Sequence, residues 1–531
     1  MGNYLNPGNK AFQKMMQSEY VDKTGLIAVI NQTIGSAKML ICISRPRRFG
    51  KSYAARMLCA YYDCSCDSRA LFDDKKIAGT EGYLTHLNQY HVINLDITSF
   101  IAEAAEMGKP LLSVPNIIAD ALYRELTANW PELEGKSLQE VMVDCVDKTG
   151  KEFVFIIDEW DALIREAKGD AEAQKRYLVF LRGWFKNNNF TPKVVAAAYM
   201  TGILPIKKDG SQSATSDFAE YTILDPGGFA EFTGFTEDEV RKLCEKHEVS
   251  FEDARKWYDG YEFPEVGAIY NPYSVMCAMQ NRKCRSYWRK TSASESLMTY
   301  INMDFEGLQE IIARLIAGEA VEVRVDSFEN DFETFRSKDD VLTLLIHLGY
   351  LTWCEEEGTA QIPNEEVRVE FEKILEGTGA SRKWIELIER SGKLLEDTIA
   401  GNADAVAGAI EEIRDTQYAP TFYNDEQALR YVIKFAYIAA IDRYLRVEEL
   451  PSGKGIADVV YLPKKKSALP ALVIELKWNK SSEGAIQQIK ERNYPAVLKD
   501  YGGEVVIVGI NYDAKKKTHD CAIERVWREN E

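Results

Sequence analysis

The feature that most constrains the fold is the stretch MLICISRPRRFGKSYAARML at positions 39–58. Its first residues, 39–44, form an apolar run with the length of a buried strand, and helical periodicity begins at about Ser52. Between the two lies a basic loop that ends in Gly50-Lys51. The stretch therefore predicts a strand, a loop and a helix in immediate succession.

A loop at this position is typical of a phosphate-binding site. Its backbone N–H groups wrap phosphates at the positive end of the helix, its Lys reaches the terminal phosphates, and its Ser or Thr ligates Mg²⁺. Lys51 and Ser52 have this chemistry, and Gly50 lets the backbone approach a phosphate closely. In the pattern G-x-x-x-x-G-K-[ST], however, Arg45 stands where the first glycine is expected. From these residues alone, a nucleotide site and a solvated basic turn both remain open.

The rest of the loop is assigned by the same argument. Arg48 and Phe49 precede Gly50 and are predicted to contact the nucleotide together with it. Arg47 and Arg48 either add positive charge to the site or form a solvated basic loop. Pro46 can give the loop a different first turn from the one that glycine gives.

Apolar runs of strand length recur along the first part of the chain, separated by segments with helical periodicity. Short, uniformly apolar strands that alternate with helices predict a parallel sheet with helices on both faces. The predicted strands lie at 39–44, 91–97, 153–157 and 194–200. The sequence therefore predicts an α/β domain over residues 1–230.

The third apolar run ends in an acidic pair, Asp158-Glu159. At the carboxyl end of a strand beside the strand of the phosphate loop, Asp158 can hold Mg²⁺ and its water shell, and Glu159 can polarise an attacking water. Thr201, at the end of the fourth run, is either a sensor of the γ-phosphate or an ordinary strand-end threonine. Lys207 and Lys208 are better explained as a solvated turn than as phosphate contacts.

Residues 231–420 show mainly helical signals. Within them, SKDDVLTLLIHLGYLTWCEEEGTAQIPNEEVRVEFEKIL predicts a helix, a strand, a turn, a second strand and a second helix. Two interpretations stay open for this order: a winged-helix-like module, or a helical subdomain with a hairpin.

Residues 421–531 are predicted to form a second α/β unit with its own chemistry. Glu475 and Lys477 stand two apart on the apolar strand ALVIELKW, so both project to the same side. Asp458, on the preceding strand of a predicted hairpin, can lie beside Glu475, and a divalent cation relieves the repulsion of two such carboxylates. Lys477 then stabilises charge that develops on a phosphate. An exposed ion pair on an edge strand is the alternative.

Three further residues are weaker candidates for this site. Gln488, on the following helix, and Tyr494 can touch the metal-bound water or the phosphate. Glu426 either completes the metal site or favours the first turn of its own helix.

Length, charge and hydropathy limit the class of protein. A chain of 531 residues is too long to fold around a single hydrophobic core, so several domains are expected. The net charge is −18, yet residues 421–531 hold 18 Lys and Arg against 16 Asp and Glu, which weakly favours an anionic partner there. The sequence has no apolar run long enough for a membrane helix and no signal peptide at its start, and its ten cysteines are sparse. We expect a cytoplasmic protein with free thiols.

The motifs carry a family resemblance along nearly the whole chain. YVDKT, SRPRRFGKS, FIIDEWDALI, YMTGILPIKK, FAEYTILDP, GFTEDEV, WYDGYEF and YNPYSV together resemble bacterial AAA-ATPase-like proteins with a C-terminal PD-(D/E)XK nuclease-superfamily domain. In that family R-P-R-R-F-G-K-S is the usual form of the phosphate loop, so Arg45 is no defect. Asp458, Glu475 and Lys477 match the nuclease signature, with Ala457 in place of its proline.

The resemblance implies ATP and Mg²⁺ as cofactors. Lys51 and Ser52 would bind phosphates and Mg²⁺, with Asp158 and Glu159 as the metal-binding and water-activating pair. The fold class implied is a P-loop NTPase parallel sheet, a helical or winged-helix-like middle region and a C-terminal restriction-endonuclease-like α/β domain.

Two functions follow as hypotheses. The first is an ATP-dependent enzyme that cleaves nucleic acid with Mg²⁺. DNA is favoured over RNA as its partner, and both remain open as its substrate. The second is an ATP-switched regulatory module whose nuclease-like domain binds nucleic acid or protein without cleaving it. A homo-oligomer is compatible with both hypotheses, and neither of them involves a membrane.

Overall fold

A computed structural model of the protein describes residues 2–167, 169–206, 217–288, 308–316, 318–326, 328, 337–376, 381–417, 443–447, 459–463, 469–491, 498 and 501–528, and isolated positions from 429 to 440. The chain divides into two compact units. The first contains residues 1–308 and 320–370, and the second contains 309–319 and 371–531. The three sequence-based domains, 1–230, 231–420 and 421–531, stay a prediction.

The first unit is built on a parallel five-stranded sheet with the order β2-β3-β4-β1-β5. Its strands are β1 (Leu40–Ser44), β2 (His91–Asp96), β3 (Phe153–Asp158), β4 (Val195–Gly202) and β5 (Ala219–Tyr221). The four predicted strands are thus confirmed, whereas β5 was not predicted.

One expectation about this sheet is wrong. The acidic strand β3 does not lie beside β1, because β4 pairs with both and separates them. Chain order does not fix spatial order in a parallel sheet, since each helical crossover can skip a position. The carboxyl ends of the three strands still lie at one edge of the sheet, so the acidic pair and the phosphate loop remain on the same side of the domain.

Both faces of the sheet are covered, as the uniformly apolar runs predicted. One core contains Cys42 and Phe155 together with apolar residues of α6, α7, α8 and α10, and the other contains Ile43 and Ile156 together with residues of α1, α2 and α3. The helices up to residue 376 are α1 (Lys10–Met16), α2 (Gly25–Asn31), α3 (Lys51–Tyr62), α4 (Arg69–Phe72), α5 (Tyr83–His86), α6 (Ile97–Glu106), α7 (Val114–Asn129), α8 (Leu138–Thr149), α9 (Ala162–Glu166), α10 (Ala171–Phe185), α11 (Thr191–Val194), α12 (Glu237–His247), α13 (Phe251–Tyr258), α14 (Pro272–Asn281), α15 (Leu308–Ile316), α16 (Lys338–Leu348) and α17 (Glu365–Glu376).

The middle region contains two small antiparallel sheets. One has the order β6-β8-β7, with β6 (Phe235–Thr236), β7 (Tyr261–Phe263) and β8 (Gly267–Tyr270), and the other has the order β10-β11-β9, with β9 (Val321–Glu322), β10 (Thr352–Cys354) and β11 (Thr359–Gln361). The hairpin of β10 and β11 stands between α16 and α17, so the predicted order of helix, two strands and helix is confirmed. A capping box of Ser337 and Asp340 starts α16, and Gly349, with φ +82°, ends it.

The second unit contains a mixed sheet with the order β12-β13-β14-β15-β16. Its strands are β12 (Tyr444–Val447), β13 (Val459–Pro463), β14 (Ala471–Trp478), β15 (Gly503–Asp513) and β16 (Thr518–Arg528), and its helices include α18 (Ser381–Ala400), α19 (Ala403–Gln417) and α20 (Ser482–Glu491). Strands β14 and β15 are parallel, joined across α20, and the other neighbours are antiparallel. The final strand β16 was not predicted. Apolar residues of α18 and α19 pack on one face of this sheet, and residues of α20 pack on the other.

None of the helices in the described part of the chain is both long and apolar enough to cross a membrane.

Candidate functional site

The phosphate loop of the sequence connects β1 directly to α3. Gly50 immediately precedes α3 and has φ +85°, a left-handed conformation that glycine adopts without strain. Arg48, with φ +71°, also has positive φ, so the loop turns sharply before the helix. The backbone N–H groups of the first turn of α3 therefore face the inside of the loop.

Lys51 is buried within its own loop. Its Nζ donates hydrogen bonds to the main-chain oxygens of Arg45 and Pro46, both at 2.9 Å. Burial lowers the pKa of Lys51, and the nearby carboxylates of Glu159 and Asp158 oppose this effect. Because a phosphate oxygen is a stronger acceptor than a neutral carbonyl, an entering phosphate can replace these partners.

The acidic pair meets β4 at the carboxyl edge of the sheet. The Thr201 hydroxyl donates a hydrogen bond to Oδ1 of Asp158. The main-chain N–H of Trp160 donates to the main-chain oxygen of Thr201 at 2.9 Å. The structure thus brings Thr201 and Asp158 together, with the Thr201 hydroxyl hydrogen directed at the carboxylate.

Glu159 is held by an arginine that the sequence analysis did not identify. It has φ +53°, and its Oε2 lies 2.5 Å from Nη2 of Arg165. Arg165 also donates from Nε to Oδ2 of Asp161 at 3.0 Å, and that oxygen accepts the N–H groups of Ile203 and Leu204. The i, i+4 spacing of Asp161 and Arg165 was the available sequence signal for this pair.

A cavity of about 340 Å³ opens at the phosphate loop. Part of its wall is formed by the loop and by one member of the acidic pair: Arg47, Arg48, Phe49, Gly50, Lys51, Ser52 and Glu159. The remaining wall is largely apolar and aromatic, and includes Met15, Tyr20, Val21, Met57, Phe232, Phe235, Tyr273 and Met276. A charged end and an apolar slot fit the phosphates and the base of a nucleotide. The apolar wall was missed because its residues come from distant segments without a shared local pattern.

The lead-in motif YVDKT contributes to this wall. Lys23 lines the cavity, but its Nζ pairs with Oε2 of Glu239 at 2.6 Å and donates to the main-chain oxygen of Glu231 at 2.5 Å. Asp22 accepts hydrogen bonds from the N–H and hydroxyl of Thr24. Both residues thus fix the segment beside the cavity.

The arginines of the loop differ in their surroundings. Arg45 is fully buried, donates to the main-chain oxygens of Ser44 and Tyr221, and does not line the cavity. Burial lowers its pKa to about 10, so it stays charged at neutral pH. Arg48 lines the cavity, and its Nη1 donates to the main-chain oxygen of Tyr287 at 3.1 Å. Its Cζ lies 4.8 Å from the centre of the Tyr273 ring.

The second candidate site lies on β14, in the middle of the second unit's sheet. Nζ of Lys477 lies 2.8 Å from Oε1 of Glu475, and the two residues are only 7% and 3% exposed. Nε2 of Gln488, on α20, donates to the same carboxylate oxygen. The alternative of an exposed ion pair on an edge strand is therefore excluded.

A close contact between α20 and β15 holds Gln488 over this site. A Cβ atom on Gly509 would lie 2.2 Å from the main-chain oxygen of Ser482, so only glycine allows the helix to start this close to the sheet. Asp520 accepts the Ser482 N–H at 3.1 Å and the amide of Asn511 at 2.7 Å. Gly509, Asn511 and Asp520 were not identified from the sequence, because their role depends on contacts between elements.

Several predicted residues lie outside the described part of the chain: Asp458, Glu426, Tyr494, Lys207 and Lys208. Val459, which follows Asp458 in sequence, pairs with Ile474, which precedes Glu475. Within the described residues, no group of three or more His, Cys, Asp or Glu side chains could hold a metal ion.

Comparison with known proteins defines the class of both units. Residues 7–211 match the family model of AAA-ATPase-like proteins, described as predicted AAA-ATPases, and residues 424–521 match the PD-(D/E)XK nuclease superfamily. The chain contains an AAA-ATPase-like domain over residues 7–211 and a domain of the PD-(D/E)XK nuclease superfamily over residues 424–521. The resemblance found in the sequence is thereby confirmed.

One relative is an uncharacterized protein in the vnfD 5′ region of Azotobacter chroococcum mcd 1, which is 21% identical over 96% of each chain. Among solved structures, the Aeropyrum pernix ORC2 protein (ADPNP-ADP complexes) is 12% identical, with a TM-score of 0.28 over 66% of this chain and 93% of that one. AMPPCP-bound DnaA from Aquifex aeolicus is 13% identical, with a TM-score of 0.21 over 63% of this chain and 80% of that one.

Proposed function

We propose that the protein binds and hydrolyses ATP in its first unit and cleaves phosphodiester bonds of nucleic acid in its C-terminal domain. The observation that carries the proposal is that both candidate sites keep charged side chains buried: Lys51 in the phosphate loop, and Glu475 with Lys477 on β14. Burial of a charge is unfavourable for folding, so charges kept in buried positions commonly mark functional sites.

In the proposed ATPase, the backbone of residues 48–52 surrounds the phosphates and Lys51 contacts the terminal ones. Ser52 and Asp158 offer a hydroxyl and a carboxylate, the hard oxygen ligands that suit Mg²⁺, and would hold that ion. When bound, Mg²⁺ neutralises charge on the β- and γ-phosphates. Thr201 orients the carboxylate of Asp158, and Glu159 accepts the proton of the attacking water once Arg165 has released it.

In the proposed nuclease, Glu475 would hold a divalent cation together with Asp458. Two carboxylates suit Mg²⁺ in the chemistry of their donor atoms, and the bound cation activates a water for attack on phosphorus. Lys477 stabilises charge that develops on the phosphate, and Gln488 orients Glu475. The proposed partner is nucleic acid, with DNA favoured over RNA, and the proposed location is the cytoplasm. A homo-oligomer is compatible with this function.

A second candidate function is an ATP-switched module that binds nucleic acid or protein without cleaving it. The observation in its favour is that Lys477 and Gln488 both donate to Oε1 of Glu475, so this carboxylate is compensated without a cation. The net charge of −18 points in the same direction, because proteins that grip long DNA are usually more positive.

Phosphate release from ATP tests the first unit. We expect Lys51→Ala to abolish release, whereas Lys38→Ala, which removes the same charge from an exposed position before β1, leaves the rate unchanged. Release that persists in Lys51→Ala at the wild-type rate contradicts the assignment of the phosphate loop.

Cleavage of supercoiled plasmid and of RNA, with Mg²⁺ or Mn²⁺ and with or without ATP, tests the second unit. We expect wild-type protein to cut and Glu475→Ala not to, with Glu524→Ala as an exposed acidic control on the same sheet. Cutting that survives Glu475→Ala rejects the metal site. DNA binding without cutting under every condition favours the second candidate function.

A further inference from the structure

Arg47 is the arginine of the phosphate loop whose guanidinium has no hydrogen-bond or ion-pair partner among the residues that the structure describes. It lines the cavity together with Lys51 and Glu159 and is partly buried. No described residue accepts a hydrogen bond from it or forms an ion pair with it, whereas Arg45 donates to two main-chain oxygens and Arg48 to one. Of the three arginines of the loop, Arg47 is thus the one whose guanidinium is available to a ligand.

The residues on either side of Arg47 are fixed to the rest of the unit. Pro46 packs so closely on Gly349 that a Cβ atom on that glycine would lie 2.7 Å from the Pro46 side chain. Arg48 is held by the Tyr287 oxygen and by the face of the Tyr273 ring. The backbone at Arg47 is therefore anchored on both sides while its side chain remains free to meet a ligand.

The two carboxylates nearest in charge to Arg47 are engaged by another cation. Burial lowers the pKa of Arg47, and repulsion from Arg165 acts in the same direction, while Glu159 and Asp161 oppose it. Both of those carboxylates are already paired with Arg165. An arginine keeps its proton under these conditions, so the cavity contains a partly desolvated positive charge that an anionic ligand would stabilise.

We propose that Arg47 contacts the γ-phosphate of ATP from within the same chain and stabilises the charge that its oxygens carry during hydrolysis. This inference rests on the proposed ATPase function. A new bond forms between the water oxygen and the γ-phosphorus, and the bond between that phosphorus and the β–γ bridging oxygen breaks. ADP leaves with the bridging oxygen and its electron pair, and the water proton passes to Glu159. Arginine in this position is worth roughly 10³-fold or more in rate.

The test measures ATP binding, phosphate release and binding of ADP with aluminium fluoride, a mimic of the transferring phosphoryl group. We expect Arg47→Ala to lower kcat on the order of 10³-fold while ATP affinity changes by less than about threefold, and to weaken the aluminium fluoride complex strongly. Arg47→Lys, which keeps the charge but not the planar fork, should recover part of the rate. Arg56→Ala, on the exposed face of α3, is the matched control and should resemble wild type.

The outcomes separate this inference from the proposed function. Wild-type protein that hydrolyses ATP while Arg47→Ala retains its kcat overturns the role of Arg47 alone. A raised KM with unchanged kcat overturns it as well, since Arg47 would then serve only ground-state binding. Hydrolysis that is restored on mixing Arg47→Ala with Lys51→Ala protein would assign the arginine to a neighbouring chain and overturn the contact within one chain. Wild-type protein without phosphate release overturns both proposals. Equal melting temperatures of wild type and variants would show that a loss of activity does not come from a loss of folding.

Discussion

The carboxylate of Glu159 lies 2.5 Å from Nη2 of Arg165, and the same guanidinium binds Asp161 through Nε at 3.0 Å. One arginine therefore holds the candidate catalytic base and also the carboxylate that caps the turn after β4. Asp161 is 1% exposed, so removing its partner leaves a buried charge behind. The pair of Arg165 with Asp161 therefore supports the fold, whereas the pair of Arg165 with Glu159 lies beside the proposed site of hydrolysis.

We predict that Arg165→Ala lowers the free energy of unfolding by about 3 kcal/mol, because an unpaired buried carboxylate is costly. Urea unfolding of the purified chain measures it. Arg69→Ala breaks an exposed i, i+4 pair with Asp73 at α4 and should leave the unfolding midpoint unchanged. Equal midpoints for both variants would show that the Arg165 pair adds nothing to stability.

The ion pair on β14 should behave as a buried charge pair in which one partner needs the other. Lys477→Met leaves Glu475 charged inside the sheet, and we expect it to lower the free energy of unfolding by about 3 kcal/mol. Adding Glu475→Gln removes that charge while keeping an acceptor for Gln488, so most of the loss should be recovered. Both variants should lack cleavage. A double variant that unfolds as easily as Lys477→Met would contradict this account.

Gly509 should be intolerant of any side chain. In Gly509→Ala the new methyl group meets the main chain of Ser482, so α20 must move away from β15 and take Gln488 with it. We expect a loss of roughly 1–3 kcal/mol in stability, typical of overpacking, and weaker cleavage. Gly408→Ala, in the exposed middle of α19 with open space around it, should instead stabilise by about 0.5–1 kcal/mol. Identical melting temperatures for the two variants would refute the close contact.

A buried glutamate should make stability depend on pH. Burial raises the pKa of Glu366 to about 7, with Glu370 adding to the effect, while the hydrogen bond from the Tyr287 N–H, the nearby Ser274 hydroxyl and the charge of Arg48 oppose it. The folded state therefore holds a proton that the unfolded chain has released above about pH 4.5. This contribution is complete below that pH and is lost as pH rises through 7.

The measurement is the unfolding free energy from pH 5 to pH 8. We expect the wild-type value to fall by up to about 3 kcal/mol relative to that of Glu366→Gln across this range. Burial lowers the pKa of His91 to about 4, so His91 makes stability rise with pH, opposite to the effect of Glu366. Because His91 is present in both proteins, its contribution cancels in the difference between them. Parallel pH profiles of the two proteins would rule out a raised pKa at Glu366.

The candidate sites show how far local patterns reach. Strand length and apolar character predicted β1, β2, β3 and β4, and the alternation of side chains along a strand placed Glu475 and Lys477 on one face. These features depend on neighbours in sequence. The i, i+4 spacing of Asp161 and Arg165 was a usable signal that the sequence analysis did not take up. Asn511 was missed because hydrogen bonds between elements leave no periodic signal.

The sequence by itself determined most of the element types, the position of the phosphate loop, the acidic pair after β3 and the resemblance to both families, since each is carried by short, ordered motifs. Only the tertiary structure decided that β4 separates β1 from β3, that Arg45 is buried while Arg47 lines the cavity, and that Gln488 meets Glu475. The physical reason is that sheet order and cavity walls arise from packing between distant segments, whereas backbone periodicity reports only which face of an element is buried.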